Sequence, residues 1–579
     1  MINLVKQDVA AAITEGVSTA YSVTPLSSDE IEKALEVPPS QELGHYALPC
    51  FILSKHLKVK PVDVAARLME VLAANEIVER IEQKGPYLNF FLSSKYLGER
   101  ILTPYVSKEI PGTIPGPFQR CMVEYSQPNT HKELHVGHMR TACLGNAVCK
   151  ILSAAGHDVV SATYPGDVGT HVAKCLWYLK KFQPELAPGE DRGTWLGRMY
   201  STANNLLEDQ KGTPQEEENR KELTAILKEL HTGSGEYYDL WRETREWSLE
   251  LMQRAYDWLD ISFDRWFFES EVDEPSLAYA RELYEQGVLV EDDGAIGMDL
   301  SEDGLGFCLL IKSDGNGLYS TKDVLLAKRK FEEFGIERNI YVVDVRQSFH
   351  FQQVFKVLER VGYEHAKDCY HLPYGYVELP DGAMSSRKGN IIPLVALIEN
   401  MESTIKEKYL TRYEELSSEK KNEIARVIAN GAIKYGMLKF DNNKSIVFEM
   451  DEWLKVEGDT GPYIQYAAAR INSIFKKVGE VSAAPEYEKL CAEQEVAVVL
   501  KLSAFKEVVA LSADQLKASP LCAYLFDLSK LFNSFYAASR IGDEPDEGLK
   551  AARVELCRSV YVALEQGLAL LGIEIPEKM

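Results

Sequence analysis

Positive charge is what this sequence has least of. Its 579 residues carry 64 Lys and Arg against 88 Asp and Glu, a formal net charge of -24. At face value that balance disfavours a nucleic-acid partner. Much of the acid, however, lies in stretches such as Glu208-Asp209, Glu216-Glu217-Glu218 and Asp543 to Glu547, which read as solvated helix faces or loops. A polyanion needs a basic stripe and not a basic protein, so RNA stays open. Long apolar runs are lacking too. No stretch approaches the ~18 consecutive apolar residues of a membrane span, and the opening Met1-Ile-Asn-Leu-Val-Lys-Gln-Asp8 has no signal-peptide core. No membrane partner is expected. The 10 cysteines form no CxxC pair and no zinc spacing, so no structural zinc and no other resident metal is expected. Scattered through apolar surroundings, they fit a reducing cytoplasm.

What is present is ordinary in bulk: 45% apolar and 26% charged residues, on a chain too long for one core. Its information lies in local patterns. Cys121 to Tyr125 reads as a short buried strand, Pro128-Asn129 breaks it, and apolar periodicity from Leu134 to Leu152 predicts a helix. His135 and His138, spaced i, i+3, then share one face near the start of that helix. Backbone N–H groups and the helix dipole favour an anion there, so a polyphosphate is a natural ligand. Imidazole N–H groups add donors, and Gly137 lets a flat base approach the backbone. By themselves two histidines so spaced are as readily a satisfied surface or core pair.

The organisation around this stretch is layered. Residues 1 to about 110 predict an α/β module: helical periodicity at Ile31–Leu35 and Pro61–Leu72, with Pro61 in a first turn, and a strand at Gly85–Leu92. The Gly/Pro-rich segment Pro111–Pro117 reads as a linker. From 118 to about 395 strand-like and helix-like patterns alternate, as in a parallel sheet, with a largely helical insertion at about 180–300 that is densest from Lys180 to Asp260. Strand patterning returns at Phe307–Lys312 and Ile340–Asp344. Such a split fold places its ligand at the carboxyl ends of the central strands. Residues 396–450 are expected to be a connecting helical region and 451–579 an all-α bundle.

The histidine stretch resembles the first signature box of class I aminoacyl-tRNA synthetases, and Met384-Ser385-Ser386-Arg387-Lys388-Gly389-Asn390 resembles the tail of the second, about 250 residues later. In detail the chain resembles arginyl-tRNA synthetases, over essentially its whole length. The carriers are Glu124-Tyr-Ser-Gln-Pro-Asn129, Lys132-Glu-Leu-His-Val-Gly-His138, Gly166-Asp-Val-Gly-Thr170, Tyr319-Ser-Thr-Lys-Asp323, Glu457-Gly-Asp-Thr-Gly-Pro-Tyr-Ile-Gln-Tyr466 and the closing Leu571–Met579.

The resemblance implies a Rossmann-like class I catalytic domain, an N-terminal additional tRNA-binding module and a C-terminal α-helical anticodon-binding domain. It implies the substrates ATP (with Mg²⁺), L-arginine and the cognate tRNA, and a cytoplasmic monomer. Arginyl adenylate forms first with release of pyrophosphate, then the arginyl group passes to the terminal ribose of tRNA. A requirement for bound tRNA in the first step is a further implication. Glu124 and Asn129 would meet the ammonium and carboxylate of arginine. Tyr319, Asp323 and Gln347 would line its side-chain pocket, consistent with the planar anionic partners a guanidinium needs. Read as ordinary residues, Asp323 is a first-turn carboxylate, Tyr319 a strand packer, and Asp167 a turn former that shapes the floor of the site.

Catalysis by His135, His138, Lys132 and Lys388 is implied, with Gly137, Met384, Ser385 and Arg387 helping to hold ATP. The two lysines of the class's second box fall here on Ala383 and Ser386. Lys132 is the expected source of the missing charge, and a solvated lysine paired with Glu133 is its ordinary reading. In the C-terminal bundle Tyr463, Tyr466 and Arg470 are the expected RNA contacts, whereas most neighbouring aromatics should be core. Two other functions stay open: a synthetase-like RNA-binding protein without activity, and another HxGH nucleotidylyltransferase.

Overall fold

The computed structural model describes residues 2–380, 382–383 and 392–579. At its centre is a five-stranded parallel sheet in the order Cys369–Tyr374, Arg338–Asp344, Arg120–Glu124, Asp158–Thr163, Arg265–Trp266. Cys121, Met122 and Val123 are buried without alternation, as a strand covered on both faces requires. The chain leaves Glu124 for a strand on one side and returns later on the other. That switch opens a crevice at the carboxyl ends of the two central strands.

The helix after the first of these strands is Val136–Ala154. It begins later than its apolar pattern suggests, because Leu134 is engaged elsewhere: its carbonyl accepts the Leu394 amide at 2.9 Å. The helical insertion also departs from expectation. Helices Thr170–Phe182, Arg192–Asp209, Pro214–Thr232 and Glu236–Trp258 fill its first part. Arg265–Trp266 then rejoins the parallel sheet, anchored by the Ser161 amide donating to Asp264 at 2.8 Å. After the helix Glu269–Glu285, residues 290–311 form a separate three-stranded antiparallel sheet. The segment expected as a strand at Phe307–Lys312 lies there, as Gly306–Ile311, and not in the parallel sheet.

The connecting region is likewise not wholly helical. After the helices Leu394–Ile405 and Ser418–Leu438, Ile446–Val447 pairs in parallel with Val377–Glu378. The C-terminal bundle is built from Gly461–Val478, Glu493–Ser503, Phe505–Gln515, Ser519–Ala538 and Glu547–Leu570.

The N-terminal module is an antiparallel sheet, Tyr46–Pro49, Tyr87–Leu92 and Val78–Lys84, carrying helices that include Leu4–Tyr21 and Pro61–Val71. It docks on the C-terminal bundle. Asn3 donates to Glu507 at 2.9 Å and the Tyr105 hydroxyl to the Leu502 carbonyl at 3.1 Å. The two ends of the chain therefore pack against one another.

Candidate active site

A cavity of about 710 Å³ lies in the crevice. Its walls include Glu124, Tyr164, Asp344 and Tyr374, each the last residue of a parallel strand or the one after it. His135, Gly137 and His138 enter from the helix start, Tyr319 and Asp323 from the helix Tyr319–Phe334, and Asn129, Gly166, Glu269 and Gln347 from loops and helix ends.

The histidines cap their own helix. The Gly137 amide donates to His135 Nδ1 and the His135 amide to His138 Nδ1, both at 3.1 Å. A ring nitrogen that accepts an amide proton carries none itself, so Nε2–H is the donor each neutral ring offers a ligand. Burial holds both rings neutral. It pushes His135 down to about 4. It holds His138 well below its ordinary value, with the neighbouring His135 and Lys132 charges adding to the effect. Their centroids stand 4.0 Å apart.

The loop feeding this cap is strained and braced. Ser126 and His131 adopt φ of 58° and 59°, a conformation costly for side chains. Ser126 is held by its amide to Thr141 Oγ1 (3.1 Å) and its hydroxyl to Tyr256 (3.0 Å). The fully buried His131 ring lies between the hydroxyls of Thr130 (2.9 Å) and Thr244 (2.8 Å), and its amide donates to Ser248 at 2.9 Å. Thr244 and Ser248 belong to the insertion helix Glu236–Trp258, which thus holds the histidine box from behind.

The cavity walls also carry acids, Glu124, Asp323, Glu269 and Asp344, and each has a basic partner. Glu124, buried, is ion-paired with the fully buried Lys330 and accepts from Gln127 at 3.2 Å. Asp323 meets His350 Nε2 at 2.6 Å. Burial would lower His350, but the Asp323 hydrogen bond and charge outweigh it and raise its pKa. Glu269 lies 3.6 Å from Lys322, which also holds Asp273 at 3.0 Å. Burial pushes the Glu269 carboxyl up to about 7; Lys322 opposes this, and Asp167, Asp323 and Asp273 reinforce it. Asp344 is clamped by Arg346 at 2.8 Å through two bonds.

The comparisons with known proteins decide the family. A family model described as tRNA synthetases class I (R), catalytic domain, matches residues 110–450. Models of the arginyl tRNA synthetase N terminal domain and the DALR anticodon binding domain match residues 3–92 and 464–579. The arginine–tRNA ligase of Bdellovibrio bacteriovorus is 50% identical over 98% of each chain. The chain belongs to the arginyl-tRNA synthetase family. The arginine–tRNA ligase of Clostridium botulinum is 37% identical, covering 96% of this chain and 97% of its own. The solved arginyl-tRNA synthetase of Thermus thermophilus superposes with a TM-score of 0.79 at 28% identity, over 99% of this chain and all of that one.

Against that family's pattern, the structure brings Glu124, Asn129, His135, Gly137, His138, Tyr319, Asp323 and Gln347 to one cavity. Lys132 is not among its walls; the ammonium stands over the Tyr200 ring, 5.2 Å from its centroid. Met384, Ser385, Arg387 and Lys388 lie outside the described residues. Asp167 is wholly buried and serves the framework. Its carboxylate takes Arg245 Nε at 2.8 Å and the Ser270 amide and hydroxyl at 2.9 and 2.7 Å, away from the cavity walls. In the bundle, Arg470 donates to Tyr466 at 3.0 Å and to Asn533 at 2.7 Å, and Asn533 donates to Tyr463 at 2.9 Å. Tyr463, Tyr466 and Arg470 are partly exposed and Tyr536 is 41% exposed, while Phe532 and Phe535 are buried.

Sequence reasoning missed Glu269, His350 and Lys330. Glu269 opens a helix in Phe267-Phe-Glu-Ser, a context indistinguishable from a first-turn carboxylate. His350 follows Gln347 by three residues, and that proximity was the one local signal for it. Lys330 sits in Lys328-Arg-Lys330, which reads as a solvated basic helix face.

Proposed function

We infer that this cavity carries both half-reactions by which the chain charges tRNA with arginine. One observation supports the reading above all: neutral imidazole donors at a helix start and a set of partnered carboxylates line one cavity.

Arginine binds with its guanidinium toward Asp323 and Glu269, with Tyr319 alongside, because two carboxylates match the fixed fork of donors. Its ammonium and carboxylate lie toward Glu124 and Asn129, and Gln347 lines the side-chain pocket with Tyr319 and Asp323. ATP, as its Mg²⁺ complex, sets its phosphates at the helix start, and Gly137 leaves room for the base. The arginine carboxylate attacks the α-phosphorus in line; the bond from that phosphorus to the bridging oxygen breaks, and pyrophosphate departs with the electron pair. The nucleophile is already anionic, so catalysis is positioning plus stabilisation of charge on the phosphates. His135 and His138 supply Nε2–H donors to that charge. Lys132 adds a cation, moving from the Tyr200 ring, and Lys388, Arg387, Met384 and Ser385 complete the phosphate site. In the second step the terminal 2′-hydroxyl of tRNA attacks the adenylate carbonyl and AMP leaves.

The cognate tRNA is engaged at its anticodon through Tyr463, Tyr466 and Arg470, whose partly exposed rings and guanidinium suit stacking on unpaired bases. We place the protein in the cytoplasm, where its ten free cysteines persist reduced, and as a monomer, to be checked by light scattering.

The test is ATP–pyrophosphate exchange with a panel of amino acids, with and without tRNA. Exchange that depends on arginine is the expected result. Exchange indifferent to arginine points to another nucleotidylyltransferase, and none even with tRNA points to an RNA-binding protein without activity; either overturns the reading.

A further inference from the structure

Lys330 is fully buried beside Glu124, and it lines no part of the cavity. It reaches Glu124 from behind, from the helix that also presents Tyr319 and Asp323 to the cavity. Its ammonium lies 4.3 Å from the centroid of Tyr341 and 5.8 Å from that of Phe267, so aromatic faces close over it. Glu124 thus has one oxygen held by Lys330 and the other by Gln127, which donates at 3.2 Å. A carboxylate has about four acceptor sites, so two bonds fix its plane and leave capacity for a ligand.

Resting on the proposed placement of arginine, we infer that Lys330 is a positioning and specificity-determining residue. It locks the Glu124 carboxylate and offsets its charge, so that the α-carbon end of the cavity accepts a zwitterion and does not simply attract cations. The argument is electrostatic. An arginine α-carbon carries an ammonium and a carboxylate side by side. Extra negative charge at Glu124 would attract the first and repel the second, with little net gain. A ligand with a guanidinium and a bare ammonium, such as agmatine, has no carboxylate to be repelled and gains in full. The same uncompensated charge would push the nucleophilic carboxylate away from its in-line position and oppose charge arriving on ATP. Lys330 therefore acts twice, on which ligand is held and on how its carboxylate is aimed.

The experiment compares wild type with Lys330→Gln, which keeps a donor and drops the charge, and with Lys330→Arg, which keeps the charge. Arginine-dependent exchange is measured with tRNA present, and agmatine is titrated as inhibitor. In Lys330→Gln we expect agmatine to inhibit about tenfold more tightly, kcat to fall about tenfold and the KM for arginine to move least. Lys330→Arg should restore discrimination and most of kcat. A role confined to stability would weaken agmatine and arginine together, or leave both unchanged in the folded fraction. Either result overturns the inference. Should Lys330→Gln not fold, Gln127→Leu frees the other oxygen of the same carboxylate from the cavity side. It is expected to lower kcat several-fold with agmatine inhibition unweakened, and unchanged kcat would be equally decisive against it. Wild-type exchange that is independent of arginine would instead fail the underlying reading, whatever the variants do.

Discussion

The two sets of residues that line the cavity, which the proposed function assigns to a phosphate end and an amino-acid end, solve opposite electrostatic problems. At the phosphate end, two half-buried histidines are held neutral by burial and are aimed by backbone amides at the start of the helix. At the amino-acid end, Glu124, Glu269 and Asp323 each stand against a basic side chain: Lys330, Lys322 and His350. A neutral donor can be buried once its hydrogen bonds are met, whereas a buried charge needs a partner. The phosphate end could therefore be built from one contiguous stretch, while the amino-acid end had to gather ion pairs from distant segments.

The largest effect should come from the phosphate end, where neutral donors leave positive charge in short supply. Lys132→Ala is expected to lower the adenylation rate by about 10²- to 10³-fold, with near-normal arginine affinity. Single-turnover adenylate formation measures it, and wild-type-like rates would remove Lys132 from the phosphate site. At the other end, Asp323→Asn removes the charge facing the guanidinium while preserving shape. The KM for arginine should rise roughly 10- to 100-fold with a smaller change in kcat. An unchanged KM would break the assignment of that end.

The ends also differ in how they respond to pH. His135, at about 4, and His138, lower than usual for the same reason, stay neutral throughout the physiological range. They add no limb to a pH–rate profile there. Glu269, at about 7, does titrate. A bound guanidinium requires its ionised form, so below about pH 7 binding must first expel a proton. Arginine affinity should therefore be flat above that pH and fall by up to about tenfold per unit below it. Calorimetry in buffers of different ionisation heat reads the released proton. In Glu269→Gln the affinity should be lower and this dependence absent. A wild-type profile flat from pH 6 to 8 would remove Glu269 from the guanidinium site.

How much of this was legible in the sequence follows from the same contrast. The strand, break and capped helix around His135 lie within twenty residues, where periodicity and turn chemistry operate, and the structure has that strand and a helix start that brings His135 and His138 to the cavity. Glu124 and Asp323 were found only through the family's motifs, since a lone acid at a strand or helix end has an ordinary explanation. Lys330 and Glu269 were not found at all. What makes them special is a partner some 200 residues away in one case and 53 in the other, and no local pattern encodes that. The antiparallel sheet at 290–311 was missed for a different reason. Its apolar alternation is short and interrupted by Asp292-Asp293-Gly294, so it merged into the polar insertion before it.

The smallest predicted effect tests whether the phosphate end is held by neutral hydrogen bonds from the insertion. The Thr244 hydroxyl donates to the Leu240 carbonyl at 2.8 Å, which leaves a lone pair for His131 Nε2–H, also at 2.8 Å. Thr244→Val keeps the shape and removes that acceptor, so a buried imidazole N–H is left unmet in a residue already at φ 59°. The cost should be about 1–3 kcal/mol of stability, measured by denaturant unfolding. Because the loop between His131 and His135 then relaxes, kcat should fall several-fold, while the KM for arginine stays put. If the KM moved instead, the insertion helix would be supporting the acidic end, and the division between the two halves of the cavity would have to be redrawn.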